Sequence, residues 1–201
     1  MAPTSRRVTL AWDVDDVLND LTREWASWAG LESQFAVGHG SDPAEFVASL
    51  GFPKERYLAS LDEFRALRYA ALKPSGVVLD WLNRNGGRCD HVAITRTPLA
   101  AEATMRRWVD AHFGTWITEV FVSPSMRVTD PPGTAYPSKG EIARNLGGDV
   151  VLIDDTEDNL ASARGICEIV AFAQPWNTAH DQQSALEGIA ARLTESEVLA
   201  R

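Results

Sequence analysis

Apolar positions along this chain fall into two kinds of segment that alternate. Short, nearly unbroken apolar runs occupy residues 8–13 (Val8-Thr9-Leu10-Ala11-Trp12-Asp13), 91–95, 119–122, 150–153 and 166–172. Their length and their Val and Ile content predict strands. Between them apolar residues recur every third or fourth position, which predicts helices. The first helix covers 18–29, with Leu18, Leu21, Trp25 and Trp28 on one stripe and Gly30 as its stop. Others cover 75–84, closed by Asn85-Gly86-Gly87, then 98–112, 139–146 ahead of Gly147-Gly148, 156–164 and 182–199. Residues 124–137 form a long irregular loop containing Pro124, Pro131, Pro132 and Pro137.

Residues 31–72 show no strand-like alternation. Gly38-His39-Gly40 marks a loop, and Ser41 or Asp42 caps a helix that opens with Pro43 and runs to about Leu50. Gly51-Phe52-Pro53 is a break, after which Leu58, Leu61, Phe64, Leu67 and Ala71 resume helical spacing. Arg68, beside that stripe, is expected to snorkel or face water. Trp25, Trp28, Phe46, Tyr57, Phe64 and Tyr69 are expected mostly to pack this segment, with one or two left to close over a ligand. The fold class that follows is α/β: a Rossmann-like parallel sheet with helices on both faces and a small all-helical insertion. Residues 1–18 and 73–201 make the core domain, and 19–72 the insertion.

Composition narrows the function classes. The chain has 201 residues, 45% hydrophobic and 23% charged, with a net charge of −9. That charge repels nucleic-acid backbone and anionic membrane, so neither a polynucleotide nor a membrane is expected as partner. A small phosphorylated metabolite still fits if a metal and one or two cations neutralise it locally. Cys89 and Cys167 stand apart, which excludes a disulfide scaffold or a thiolate zinc site and suits a reducing compartment. His39, His91, His112 and His180 show no ligand spacing. Residues 1–7 hold no apolar leader, and no run approaches the roughly 20 apolar residues that span a bilayer. A cytoplasmic location is expected. Oligomeric state stays open, a homodimer included.

The candidate chemistry lies at the strand ends. Ligands of open parallel sheets bind beyond the carboxyl ends of the strands, and polar signals converge there: Asp13 and Asp15 after the first run, Thr95 after the second, Asp154 and Asp155 after a later one. Two acids two residues apart at a strand end are costly for packing unless a cation or phosphoryl group lies between them. Asp13 is the candidate nucleophile, able to form an aspartyl-phosphate. Asp15 is the candidate general acid and base. Asp155, helped by Asp154, would hold Mg²⁺ together with Asp13. Thr95 offers a hydroxyl to a phosphate oxygen, with Arg96 and Thr97 as competitors for that contact. Lys139 offers a fixed positive charge. Asn159, one helical turn past Asp155, is placed to orient a metal-bound water.

Asp13-Val14-Asp15-Asp16-Val17-Leu18, then Thr95, then Lys139, then Asp154-Asp155-Thr156-Glu157-Asp158-Asn159 resembles the ordered motifs of the haloacid dehalogenase-like (HAD) phosphohydrolase superfamily. The resemblance spans residues 8–159. It implies a Mg²⁺-dependent phosphomonoesterase in which the Asp15 backbone carbonyl also binds the metal. The helical insertion looks like a class C1 cap. The tail Gln174-Pro175-Trp176-Asn177 is similar to that of the 5′(3′)-deoxyribonucleotidase-like branch, which points to nucleoside monophosphates. A sugar phosphate or another phosphorylated metabolite is the alternative substrate. The chain departs from the pattern at Asp16, where many relatives have Gly, and at Asn159, where many have Asp.

Other readings compete. A phosphate-binding protein without turnover would keep the same groups. A two-component receiver also uses acids, Thr and Lys on a parallel sheet, but its acid pair would precede the Thr and Lys, whereas Asp154 and Asp155 come last. A calcium loop fails because Val17 stands where a third oxygen ligand is needed. Lys139 read as a solvated lysine would sit at the end of a helix that disfavours cations. Asp154 or Asp155 can also cap the helix that follows.

Overall fold

Five parallel strands form the centre of the molecule. The computed structural model describes residues 7–37, 40–127 and 135–199. The loop expected at Gly38 and His39, Pro131 and Pro132, and residues 1–6 fall outside that range.

Chain order runs β1 (Thr9–Trp12), α1 (Leu21–Trp28), α2 (Pro43–Ser49), α3 (Lys54–Arg68), α4 (Gly76–Asn85), β2 (Asp90–Thr95), α5 (Leu99–Phe113), β3 (Ile117–Val122), α6 (Lys139–Leu146), β4 (Val150–Asp154), α7 (Glu157–Ala163), β5 (Glu168–Ala171) and α8 (Gln182–Leu199). Short 3-10 turns at Glu32–Val37, Tyr69–Ala71 and Gly86–Arg88 join some of them. The strand order is β3-β2-β1-β4-β5, and every pairing is parallel. Among the described residues no helix is long and apolar enough to cross a membrane.

The unbroken apolar runs of β1, β2 and β4 are explained by burial on both faces, whereas the edge strands β3 and β5 are only partly covered. Leu10, Trp12, Ala93, Val151 and Ile153 point into one apolar cluster, shared with α1, α4 and α8. Their neighbours Ala11, Val92, Ile94, Val150 and Leu152 point into another, with Ile142, Ala143 and Ala163 of α6 and α7. Successive strand residues alternate between faces, so a strand covered on both sides has no polar positions to give.

The helical excursion leaves and re-enters at one neck. Asn19 and Pro74 form an isolated antiparallel bridge, and the Ser75 N–H donates to the Leu18 carbonyl at 2.7 Å. Its Trp25, Phe46, Tyr57 and Phe64 belong to the same apolar cluster as the sheet's Leu10 and Trp12. Asp42, one of the two candidate caps, accepts from the Glu45 N–H at 2.8 Å and caps α2.

Two expectations are corrected here. Leu18 does not open a helix; α1 begins at Leu21. Asp16 takes φ +65°, and the Asn19 side-chain oxygen accepts from the backbone N–H groups of both Asp16 and Leu21, so the chain turns before it winds. Leu67 is not on the buried stripe of α3 and is 64% exposed. That stripe is Tyr57, Leu61, Phe64 and Arg65, with a charged residue taking the fourth place.

Candidate active site

The register of β1 and β4 builds the centre of the site. Trp12 pairs with Ile153, and the Asp13 N–H donates to the Ile153 carbonyl at 2.9 Å. Asp13 and Asp154 therefore leave adjacent strand ends side by side. Each of Asp13, Asp154 and Asp155 has a carboxylate oxygen within 4.8 Å of those of the other two, and all three residues are buried.

Lys139 braces this cluster. A reciprocal cap starts α6: Ser138 accepts from the Glu141 N–H, and the Glu141 carboxylate accepts from the Ser138 N–H. The next residue, Lys139, is 1% exposed, which removes the reading of a solvated lysine. Its Nζ lies 2.8 Å from Asp13 Oδ2 and 2.5 Å from Asp154 Oδ2. Burial works against its charge, but Asp13 and Asp154 outweigh burial and hold its pKa above the ordinary value. Burial also lifts the Asp13 carboxyl to about 7, with Lys139 opposing and Asp154 adding to the rise. Asp155 is pushed well above the usual carboxylate range, first by burial, then by Asp154 and Asp13.

These residues fit a divalent cation. Three clustered carboxylates against one ammonium leave two formal negative charges in a buried site, a costly arrangement without a further cation. Hard oxygen donors of this kind suit Mg²⁺. Asp154 is held on three sides: by Lys139, by the Thr156 N–H at 3.0 Å and by Asn159 Nδ2 at 3.0 Å. It braces the turn into α7 through the Thr156 N–H without capping the helix, whose N-cap Thr156 has no side-chain cap bond. Asn159 thus reaches the acid pair through Asp154.

Asp15 faces the helical excursion. Tyr69 donates its hydroxyl to Asp15 Oδ1 at 2.6 Å, and Arg65 donates to Oδ2 at 3.0 Å. Nothing in the apolar pattern singles out Arg65; Tyr69 stands out only as an aromatic residue. Asp16 turns away and accepts from the Thr22 N–H and hydroxyl at 2.8 and 2.6 Å, so its charge anchors α1. Asp is among the few non-glycine residues that tolerate its positive φ. Burial raises the Asp16 carboxyl to about 7, against the lowering effect of Thr22.

Thr95 ends β2 fully buried, and its Oγ1 has no hydrogen-bond partner. A buried hydroxyl left unpaired is costly, and a ligand that accepts from it would remove that cost. The Thr97 hydroxyl is in the same condition. Arg96 between them is exposed and lines a cavity of about 390 Å³ together with Asp13, Asp15, Tyr57, Arg65 and Asp155. Asp158 is exposed and lies at the same cavity. The structure thus brings Asp13, Asp15, Arg96, Asp155 and Asn159 to one cavity, with Lys139 and Asp154 directly behind Asp13.

The tail after β5 adds contacts that strand-end reasoning does not reach. Trp176 Nε1 donates to Asp155 Oδ2 at 2.8 Å, and Asn177 Nδ2 donates to the Asp155 carbonyl at 2.9 Å. The tail motif was the available signal, but it does not by itself say where these side chains point.

No protein-family model and no curated protein matches this sequence. Solved structures match its fold. A candidate phosphatase from Clostridium difficile superposes with a TM-score of 0.57 at 15% identity, covering 94% of this chain and 98% of that one. Protein Tyrosine Kinase A of Mycobacterium tuberculosis gives 0.56 at 16% identity, with the same coverage of 94% and 98%. A candidate HAD-hydrolase from Bacillus subtilis, solved bound to magnesium, gives 0.50 at 13% identity, covering 94% and 99%. The fold is that of the HAD-superfamily hydrolases. Since one protein of this fold carries a kinase name, activity has to be argued from the site.

Proposed function

We propose that this chain is a Mg²⁺-dependent phosphomonoesterase, with residues 19–72 acting as a C1-type cap over the site. The buried Asp13, Asp154 and Asp155 cluster, braced by Lys139 at the carboxyl end of a parallel sheet, carries the reading. Asp13, Asp154, Asp155 and the Asp15 carbonyl would hold the metal. When bound, Mg²⁺ supplies the positive charge that lets an anionic carboxylate approach an anionic ester.

Asp13 attacks phosphorus through a carboxylate oxygen. The ester P–O bond breaks, and the leaving alcohol oxygen takes its electron pair and a proton from Asp15. Water then attacks the aspartyl-phosphate and gives a proton to Asp15. The bond between phosphorus and Asp13 breaks, inorganic phosphate leaves and the carboxylate is restored. Thr95, Arg96 and Lys139 stabilise charge on the phosphoryl oxygens. Tyr69 and Arg65 donate to the two Asp15 oxygens and so fix the orientation of the carboxyl that exchanges the proton.

The substrate is a small phosphate ester, with nucleoside monophosphates and sugar phosphates as the two classes to separate. The cap rings pack on one another: Trp25 meets Tyr57 at 4.7 Å and Phe52 at 5.4 Å between centroids. Tyr57, which lines the cavity, is 2% exposed and offers a nucleobase little open face for stacking. This favours the sugar phosphate. The free thiols of Cys89 and Cys167 support a cytoplasmic setting. Phosphate release should be measured with Mg²⁺ against p-nitrophenyl phosphate, sugar phosphates and nucleoside monophosphates, for wild type and Asp13→Asn. Turnover lost only in the variant supports the reading. No release from any ester by the wild type favours a phosphate-binding protein instead.

A further inference from the structure

Three polar side chains of the tail after β5 reach the site. Gln174 Nε2 donates to the Asp16 carbonyl, Trp176 Nε1 to Asp155 Oδ2 and Asn177 Nδ2 to the Asp155 carbonyl. The tail is tied to itself as well, since Asn177 Oδ1 accepts from the Gln174 N–H at 3.3 Å and the Ala179 N–H at 3.1 Å. It forms a frame behind Asp155.

Trp176 is the part of that frame touching the carboxylate, and it is 2% exposed. Its ring is enclosed by two rings of the helical excursion, Phe46 at 5.5 Å and Phe35 at 6.5 Å between centroids. An indole has two side-chain torsions and a single donor, so closing off its ring fixes where the N–H points. Both side-chain donors to the Asp155 carboxylate, the indole N–H at 2.8 Å and the Thr156 hydroxyl at 3.3 Å, take the same oxygen, Oδ2. Among the described residues that arrangement leaves Oδ1 without a side-chain donor. A neutral donor suits this place: an ammonium would repel a metal cation, and a second acid would compete for it.

We infer that Trp176 is a positioning residue for the cation site, fixing Asp155 so that Oδ1 is presented to the metal, with Phe46 and Phe35 holding the indole in place. The inference rests on the proposed reading of Asp155 as a metal ligand. Removing a donor that orients a metal ligand typically lowers metal affinity by about 10- to 100-fold.

The test is calorimetric titration of the full chain with Mg²⁺ alone, for wild type, Trp176→Phe and Phe46→Leu. Trp176→Phe keeps a ring and deletes the N–H, and should raise the Mg²⁺ dissociation constant about tenfold. The Mg²⁺ concentration giving half-maximal phosphate release should rise with it. Phe46→Leu leaves the N–H but removes one enclosing ring, and should weaken binding by a smaller factor; it also serves if Trp176→Phe does not fold. A wild type that binds Mg²⁺ while the folded variants bind it equally well overturns this inference alone. A lower melting temperature in chelator with an unchanged constant has the same meaning, because it marks a packing role. A wild type that binds no Mg²⁺ overturns both this inference and the reading of the site.

Discussion

Arg65 Nη2 lies 3.0 Å from Asp15 Oδ2, joining α3 to the turn after β1. The same guanidinium reaches Asp62 through Nη1 at 3.2 Å, and Asp62 in turn pairs with Arg127 of the loop after β3 at 2.6 Å. One planar fork therefore spans two carboxylates, a geometry that an ammonium cannot reproduce. Arg65→Lys should keep the charge and lose the bridge. We expect kcat/KM to fall about tenfold, equivalent to ~1.4 kcal/mol of transition-state stabilisation, with melting changed by a few degrees at most. Steady-state kinetics beside a melting curve checks this. Undiminished kcat/KM would mean that the fork does not orient Asp15 for turnover.

Chelation should reveal the charge imbalance around Asp13. Burial raises its carboxyl to about 7, so the folded chain binds a proton more readily than the unfolded chain. The stability this gives is complete below the ordinary carboxylate value and is lost as pH rises through about 7. On the proposed reading Mg²⁺ would replace that proton. At a concentration about 100 times its dissociation constant, Mg²⁺ adds ~2.7 kcal/mol, which for a chain of this size is roughly 5–10 °C in melting temperature. Melting in chelator and in Mg²⁺ at pH 6 and pH 8 should show the larger Mg²⁺ effect at pH 8. Equal effects at both values would remove Asp13 titration from the account.

Some of this was legible along the chain because the information is local. Strand ends show as the place where an apolar run meets an acid, so Asp13 and Asp154 are found without knowing which strands pair. The helix starting near Lys139 and closed by Gly147-Gly148 is local too, and the structure adds the capping box Ser138–Glu141 at its start. What stays hidden depends on distant pairs. Arg65 and Tyr69 meet Asp15 across 50 and 54 residues, and a buried arginine on an apolar stripe resembles any exposed arginine until its partners are known. The late start of α1 is hidden for another reason: Leu18 has the right spacing, but Asp16 and Asn19 set a turn that outweighs it.

Gly140 follows Lys139, and its close approach to α7 is a matter of size. A Cβ there would sit 1.9 Å from the Ser162 carbonyl oxygen, and its N–H donates to Ser162 Oγ at 3.1 Å. The obstacle is backbone, so α6 must move away if the residue grows. Gly140→Ala should cost about 1–3 kcal/mol from overpacking and shift Lys139 from its place between Asp13 and Asp154. Urea unfolding should show the loss, and Mg²⁺-dependent turnover should fall with it. A variant as stable and as active as wild type would show that α6 and α7 are less tightly set than this contact requires.

His91 should make the chain less stable in mild acid. Its ring is buried beneath Trp12, whose Nε1 donates to His91 Nδ1 at 3.1 Å. Nδ1 is thus an acceptor, and the ring proton sits on Nε2, 3.0 Å from the Gly86 carbonyl. Protonating Nδ1 would set two donors against each other. Burial lowers the His91 pKa from 6.5, with the Gly86 carbonyl and Asp90 only partly opposing it. The unfolded chain therefore takes up a proton first. Stability is complete above about 6.5 and declines as pH falls toward the lowered value, by at most ~1.4 kcal/mol per pH unit. His91→Gln removes the titration, and its side-chain oxygen can still accept from Trp12. Urea midpoints at pH 7.5 and 5.5 in saturating Mg²⁺, which keeps the acid cluster occupied, should fall further for wild type than for the variant. Parallel declines would assign the acid sensitivity to other groups.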